Sequence, residues 1–104
     1  LPIYIPIWFP EDLTAAYMGE RVPCTFGWHF MLRGEKLHCS YHMRSCDVMR
    51  HLHNDLYFAN RLAIWLIKEA ELIGTIPGTL HFSSTSLHCF MIDKYSLDKL
   101  CADF

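Results

Sequence analysis

The sequence contains no apolar stretch near the ~20 residues that a helix needs to cross a bilayer, so we expect no membrane-spanning segment. Positive charge is also scarce, because nine Lys and Arg face eleven Asp and Glu. This balance provides no electrostatic basis for binding a nucleic-acid duplex. Charged residues make up 19% and hydrophobic residues 52%, which excludes an ordinary disordered chain. The 104 residues suffice for a single domain, 1–104, with one core.

Paired cysteine motifs are absent too. The five Cys are an odd number and form no CxxC pair, and no signal-peptide pattern is visible. We therefore expect a reduced, cytoplasmic setting. The nearest approach to a metal motif is His38, Cys39 and His42, of which only the two histidines would share a strand face. Surface or core histidines are the simpler interpretation, and we expect no metal site.

The first third of the chain predicts an edge strand and a hairpin. Residues 2–9 predict an extended edge segment, because their two prolines remove ladder donors. Residues 10–23, with Pro and Gly, predict a loop containing at most a helical turn. Apolar residues alternate over 24–33 and again over 37–45. Gly34-Glu35 between them fits a two-residue type II′ loop.

This hairpin register predicts a cluster of reactive groups. If the register is unbroken by a bulge, Cys24 lies opposite Ser45, with Arg44 adjacent and Asp47 just after the strand. A neighbouring cation makes a thiol more reactive, and Arg44 with Ser45 could hold a phosphate. The alternative is that Cys24 is a small buried hydrophobe and Arg44 forms a surface ion pair.

A long helix is predicted over roughly 48–73, either continuous or broken near its first turns, with Asp47 as its cap and Gly74 at its end. Its apolar positions step by three and four: Leu52, Leu56, Ala59, Ala63, Leu66, Ala70 and Ile73. Asp55 lies on or beside this stripe, where desolvation favours the neutral acid. Two alternatives stay open, that the helix turns Asp55 to its rim or that Asp55 caps the first turn.

The remainder predicts a turn at 75–78, a strand over 79–91 and a short amphipathic helix over 93–101. We expect Tyr95 or Leu97, together with Leu100 and Cys101, to face inward. One long helix lying on an antiparallel or mixed sheet is the α+β class.

Four motifs together resemble the thymidylate synthase superfamily. Arg-Val-Pro-Cys-Thr at 21–25 resembles the family's nucleophile segment, in which the cysteine follows proline. Met-Arg-Ser-Cys-Asp at 43–47 resembles its Arg-Ser-x-Asp motif. Ser-Leu-His-Cys-Phe at 86–90 is similar to its His-x-Tyr segment, and Trp-Phe-Pro-Glu-Asp at 8–12 to its Trp-Asn-Pro-x-Asp segment. The resemblance covers nearly the whole chain and implies a thymidylate synthase-like mixed sheet packed on the long helix.

The resemblance implies a role for each candidate residue. Cys24 would add to C6 of a pyrimidine, Arg44 and Ser45 would bind the phosphate, Asp47 would order the base or its water network, and His88 would hold the ribose. Synthases have asparagine where this sequence has Asp55, and aspartate there marks the deoxycytidylate hydroxymethylases, largely virus-encoded. A protonated Asp55 would donate to cytosine N3 and accept from its N4. Phe90 lacks the hydroxyl of the family's tyrosine, which puts one ribose contact in doubt.

The resemblance therefore implies a folate-dependent pyrimidine nucleotide C5 hydroxymethyltransferase, converting dCMP to 5-hydroxymethyl-dCMP with 5,10-methylenetetrahydrofolate. The alternatives are a thymidylate synthase-like methyltransferase acting on dUMP and a truncated, non-catalytic homologue. Family members are longer, so we expect a catalytic core segment whose N-terminal part is absent and which alone has no robust activity. We also expect a homodimer in a bacterial or phage-infected cell. Its candidate contacts are residues 2–9 and the aromatic face of Phe26, Trp28 and Phe30.

Overall fold

The computed structural model describes residues 2–103. Four strands form one sheet in the order β1-β2-β3-β4: β1 (Pro2–Pro6), β2 (Thr25–Arg33), β3 (Lys36–Asp47) and β4 (Ile76–His88). The first three strands are antiparallel, whereas β4 runs parallel to β3. The helices are α1 (Pro10–Tyr17), α2 (Leu52–Glu69) and α3 (Lys94–Ala102), with a 3₁₀ turn at Met91–Asp93. This mixed sheet with helices confirms the α+β class.

The β2–β3 hairpin has the predicted turn. Gly34 has a positive φ of 59°, as the first loop position of a type II′ turn requires, and Arg33 pairs with Lys36. The register continues unchanged to Gly27 and then shifts by one residue at a bulge before Thr25. The backbone N–H of Arg44 consequently donates to the carbonyl of Cys24 at 2.6 Å. The predicted pairing of Cys24 with Ser45 is therefore wrong by one position.

The bulge also changes which face the aromatic side chains occupy. Trp28 and Phe30 are buried in the core cluster beneath α2. Phe26 instead stacks on His42, with ring centroids 5.1 Å apart, on the other face of the sheet. The prediction that Phe26, Trp28 and Phe30 share one face is therefore wrong for Phe26. Trp28 and Phe30 are covered by the chain's own helix and cannot form a dimer contact.

The long helix is shorter at both ends than predicted. Oδ1 of Asp47 accepts hydrogen bonds from the backbone N–H groups of Met49 and Arg50, which fold residues 48–51 into a separate turn. The helix thus begins at Leu52 and ends at Glu69. The middle of the predicted stripe is right, because the buried residues of α2 are Ala59, Ala63 and Leu66. Ile73 lies beyond the helix and is 97% exposed.

The two ends of the chain differ from prediction in several places. The edge segment is confirmed as β1, but residues 10–17 form a full helix, α1, in which the Asp12 carboxylate accepts from the Phe9 N–H at 2.8 Å. β4 begins at Ile76, so the turn predicted at 75–78 is wrong. α3 contains no buried residue. Tyr95, Leu100 and Cys101 are exposed rather than inward, whereas Leu97, the alternative to Tyr95, is partly buried.

The described residues form a thin layer with principal extents of 46 × 42 × 17 Å. α2 packs against one face of β3 and β4. The other face carries Phe26 and partly exposed histidines. None of the helices within residues 2–103 is long and apolar enough to cross a membrane.

Candidate active site

A cavity of about 250 Å³ opens where the carboxyl ends of β3 and β4 meet the start of α2. The parallel pairing of these strands brings Ser45 beside Ser86 and Asp47 beside His88, although they lie about forty positions apart in the chain. Five of the predicted site residues line the cavity: Cys24, Ser45, Asp47, Asp55 and His88. The sixth, Arg44, contacts Cys24 at the cavity's edge.

Cys24 and Arg44 form the reactive edge of the cavity. Cys24 is exposed, and Nη2 of Arg44 donates to its sulfur at 3.5 Å. The carbonyl of Pro23 accepts from Nε1 of Trp8 at 3.0 Å and from Nε of Arg44 at 3.5 Å. These bonds anchor the backbone just before the thiol. An accessible sulfur beside a guanidinium is the setting in which a cysteine acts as a nucleophile.

Ser45 and His88 meet on the opposite wall. Nδ1 of His88 lies 3.5 Å from the Ser45 hydroxyl and 3.4 Å from that of Ser86, contacts at the outer limit of hydrogen bonding. The carbonyl of His88 accepts from the Val48 N–H at 2.8 Å, which fixes the end of β4 against the turn after β3. The imidazole and the Ser86 hydroxyl are exposed and Ser45 is partly exposed, so these groups can exchange their contacts for a ligand's polar groups.

Asp47 presents a buried, unused acceptor. The residue is only 5% exposed, and within residues 2–103 its Oδ2 has no hydrogen-bond partner. Burial alone raises the pKa of Asp47, but the N–H groups of Arg50 and Met49, with the nearby Arg50 and His51 charges, lower the pKa below its ordinary value overall. The carboxylate is therefore ionised at neutral pH. An unpaired buried oxygen on a cavity wall indicates a place for a ligand N–H or a water.

The pKa of Asp55 is shifted in the opposite direction from that of Asp47. The residue is partly buried, and this burial raises its pKa above the ordinary value. The charges of His51 and His53, and the Cys46 thiol 3.9 Å from Oδ2, oppose the rise without cancelling it. Two carboxyl groups in one cavity thus differ, with Asp47 the stronger acid and Asp55 the more readily protonated.

Cys46 is a second thiol at the cavity with a different environment. It is 2% exposed, and burial, followed by the charges of Asp55 and Asp47, raises its pKa. Cys46 therefore stays a neutral thiol, whereas Cys24 is open to an electrophile. This contrast supports Cys24 as the nucleophile.

Four lining residues that had been given no role were missed by the sequence reasoning: Thr25, Met43, Cys46 and His51. Strict strand alternation assigns Cys46 to the face opposite Ser45 and Asp47, but all three line the cavity because alternation breaks down at the end of β3. His51 lies four residues before Asp55, and its carbonyl accepts the Asp55 N–H at 2.9 Å. That spacing was the available signal, but it requires knowing where the helix begins. Thr25, another of the missed residues, is held in place by a hydrogen bond between its hydroxyl and that of Tyr41, 3.0 Å apart.

The histidines that suggested a metal have other partners. His38 accepts the Thr79 N–H through Nδ1 at 2.9 Å, and His42 pairs with the Ser83 hydroxyl at 2.6 Å. Over the described range 2–103, no group of three or more His, Cys, Asp or Glu could hold a metal ion.

Comparison of the sequence with protein-family models and with curated proteins finds no match. The assignment of a function therefore rests on the residues of the cavity. They combine an accessible thiol beside a cation, one ionised and one readily protonated carboxyl group, and an imidazole with hydroxyls. This set can bind a small polar ligand that carries an anionic group, and the accessible thiol can attack an electrophilic atom of such a ligand.

Proposed function

We propose that the cavity binds a pyrimidine nucleoside monophosphate and that the chain is the catalytic core of a folate-dependent C5 hydroxymethyltransferase converting dCMP to 5-hydroxymethyl-dCMP. One observation carries the proposal. The residues to which the family resemblance assigns this chemistry come from the position just before β2 and from β3, α2 and β4, and they meet at one cavity with the Arg44 guanidinium on the Cys24 sulfur.

In the proposed reaction, the Cys24 thiolate adds to C6 of the pyrimidine, and the electrons of the broken C5–C6 π bond pass to C5. C5 takes up a one-carbon unit at the formaldehyde oxidation level, and water supplies the hydroxyl oxygen. Loss of the C5 proton with expulsion of the Cys24 thiolate then restores the C5–C6 double bond, so no oxidant or reductant is needed. Addition makes C5 nucleophilic, so one difficult substitution becomes two easier steps. 5,10-Methylenetetrahydrofolate supplies the one-carbon unit when bound. The cavity, at about 250 Å³, is small beside the ~300 Å³ lower end of ligand pockets, so we place only the nucleotide there and assign no described residue to the folate.

The polar groups of the cavity have complementary tasks in this proposal. Arg44 offers forked donors and Ser45 a hydroxyl to the phosphate. His88, held between the Ser45 and Ser86 hydroxyls, contacts the ribose. The unpaired Oδ2 of Asp47 accepts from a base N–H or from a water beside it.

Asp55 determines the choice of base. A protonated Asp55 donates to N3 of cytosine and accepts from the N4 amino group, and the raised pKa of Asp55 favours this form. The second candidate is a thymidylate synthase-like methyltransferase acting on dUMP. The Cys46 thiol on Oδ2 and the charges of His51 and His53 favour the ionised form, which can accept the N3–H of uracil.

The decisive experiment is covalent trapping. The full-length protein, incubated with 5,10-methylenetetrahydrofolate and either 5-fluoro-dCMP or 5-fluoro-dUMP, should form an adduct on the peptide that contains Cys24. The ligand that traps faster identifies the base. Cys24→Ser should abolish the adduct, whereas the matched variant Cys46→Ser should retain it. Trapping that persists in Cys24→Ser would overturn the assignment, and no trapping with either nucleotide would favour the non-catalytic homologue.

We also propose that two copies associate through the uncovered face of the sheet. The radius of gyration is 16.3 Å, compared with the ~13 Å expected for a compact domain of about 100 residues, because no helix of residues 2–103 covers the second face of the sheet. Ser40 lies near the centre of that face, beside His29 and His42. In sedimentation at micromolar concentration, the wild type should be a dimer and Ser40→Arg a monomer. Ser96→Arg on exposed α3 is the control, and a monomeric wild type would exclude the dimer.

A further inference from the structure

Arg50 connects three parts of the chain beside the cavity. Its backbone N–H donates to Oδ1 of Asp47 at 3.0 Å, and its Nε donates to Oδ2 of Asp93 at 2.8 Å. Its guanidinium carbon lies 4.6 Å from the centroid of the Phe90 ring. Arg50 thus spans from the turn after β3 to the segment after β4.

The segment 89–103 has few other attachments. α3 contains no buried residue and makes its main contacts with the 3₁₀ turn Met91–Asp93. Within residues 2–103, the Arg50–Asp93 pair is the hydrogen-bonded link between this segment and the rest of the chain. The other polar side-chain contact of the segment 89–103, from Lys94 to Asp98 at 2.7 Å, is internal to α3.

We propose that Arg50 is a positioning residue that holds Phe90 as a wall of the nucleotide cavity. The proposal depends on the proposed function for the identity of the ligand but not for the mechanical role. Phe90 lines the cavity two residues after His88, so its position sets the width of the opening next to the ribose-binding imidazole.

Arginine suits this role because a single planar group can pair with a carboxylate and stack on an aromatic ring at the same time. Lysine can keep the ion pair but loses the planar stacking. Because Arg50 and Asp93 are partly exposed, each contact is individually modest. The effect arises from their combination on a segment with no other hydrogen bond to the rest of residues 2–103.

The test uses the full-length protein without ligand first. Cys89 is partly buried at the start of the segment, whereas Cys24 is exposed across the cavity. In Arg50→Met, peptide-resolved alkylation of Cys89 should become faster, and amide exchange over 89–103 should rise. Alkylation of Cys39, which is buried in the core, should stay slow, which a general loss of structure would not permit. Arg50→Lys should be intermediate, and the charge-swapped Arg50→Asp/Asp93→Arg pair should restore partial protection.

Nucleotide binding is measured next. In Arg50→Met, dCMP affinity should fall by about five- to tenfold, while Lys94→Met, which removes the exposed pair internal to α3, should match the wild type. Unchanged Cys89 alkylation and amide exchange in Arg50→Met would overturn the positioning role. Wild-type protein that binds neither dCMP nor dUMP, with the Cys89 effect intact, would instead count against the proposed function alone.

Discussion

Arg44 and Cys24 face each other across the β2–β3 hairpin, with the guanidinium Nη2 3.5 Å from the thiol sulfur. The bulge near Phe26 produces this pairing, because an uninterrupted register would place Cys24 opposite Ser45. One extra residue in β2 thus brings a cation to the sulfur and leaves the Ser45 hydroxyl free to reach His88.

Arg44→Lys should weaken nucleotide binding while preserving the charge. Lysine cannot form the forked contact with a phosphate, so the loss should be about 1–3 kcal/mol for a charged hydrogen bond. Isothermal titration calorimetry with dCMP and with deoxycytidine tests whether Arg44 contacts the phosphate. If it does, Arg44→Lys should weaken the binding of dCMP and leave that of deoxycytidine unchanged. Arg61→Lys, on the exposed side of α2, is the matched control. An equal loss for the nucleoside would show that Arg44 acts on something other than phosphate.

Gly27→Ala should destabilise the edge of the sheet. An added Cβ at Gly27 would lie 2.6 Å from the carbonyl oxygen of Ile5 and 2.9 Å from the Tyr4 hydroxyl, so β1 must shift outward. Overpacking of this kind costs about 1–3 kcal/mol. Urea unfolding of the full-length protein measures this loss of unfolding free energy. An unchanged urea midpoint would mean that β1 moves aside at this position without loss of stability.

Features with strong local signals could be predicted from the sequence. The Gly34-Glu35 turn needs only the two strands beside it, and the buried stripe of α2 follows from the spacing of Ala59, Ala63 and Leu66. The bulge could not be predicted from the alternation of residues 24–33, which fits an unbroken register equally well. It lies beside Gly27, where β1 approaches closely, a contact between distant segments. The start of α2 depends similarly on whether Asp47 caps a turn or a helix, and both are compatible with the local sequence.

The site was predicted in its residues but not in its geometry. Motif resemblance selected Cys24, Arg44, Ser45, Asp47, Asp55 and His88, and these meet in the structure. The strand pairing that joins Ser45 to His88 is parallel and is separated by all of α2, so no local pattern encodes it. The Arg50 contacts with Phe90 and Asp93 depend on the same long-range pairing.

Asp47 and Asp55 should change stability with pH in opposite directions. The pKa of Asp47 is lowered by folding, so its contribution is present above its unfolded pKa and is lost as pH falls through the folded pKa. The pKa of Asp55 is raised by folding, so the ionised form destabilises the protein as pH rises through the folded pKa. Thermal unfolding between pH 3 and pH 7, an interval that includes the ordinary Asp pKa of ~4, measures both contributions to stability.

At pH 7, Asp47→Ala should lower the melting temperature by several degrees, and the difference should shrink in acid. Asp55→Asn should melt at or above the wild type at pH 7, with the advantage vanishing in acid. Exposed Asp98→Asn is the control for removing one negative charge. If the melting temperatures of the Asp47 and Asp55 variants changed with pH in parallel, the assignment of different ionisation states to the two carboxyl groups would be contradicted.

The choice of base should depend on the proton of Asp55. In its neutral form the carboxyl group donates to N3 of cytosine and accepts from N4, so dCMP should bind more tightly than dUMP near the pKa of Asp55, and the preference should weaken as pH rises. Asp55→Asn presents an amide that donates to O4 and accepts from N3–H of uracil, so the preference should move to dUMP. Unpaired groups at a buried polar edge cost about 1–3 kcal/mol each, so the ratio of the two dissociation constants should change tenfold or more. Asn54→Asp, one position away on the exposed side of α2, is the matched control and should leave the ratio unchanged. If the ratio of the dCMP and dUMP dissociation constants is the same for wild type and Asp55→Asn as pH rises through the pKa of Asp55, then Asp55 does not contact the base. The thymidylate synthase-like alternative then becomes the better proposal.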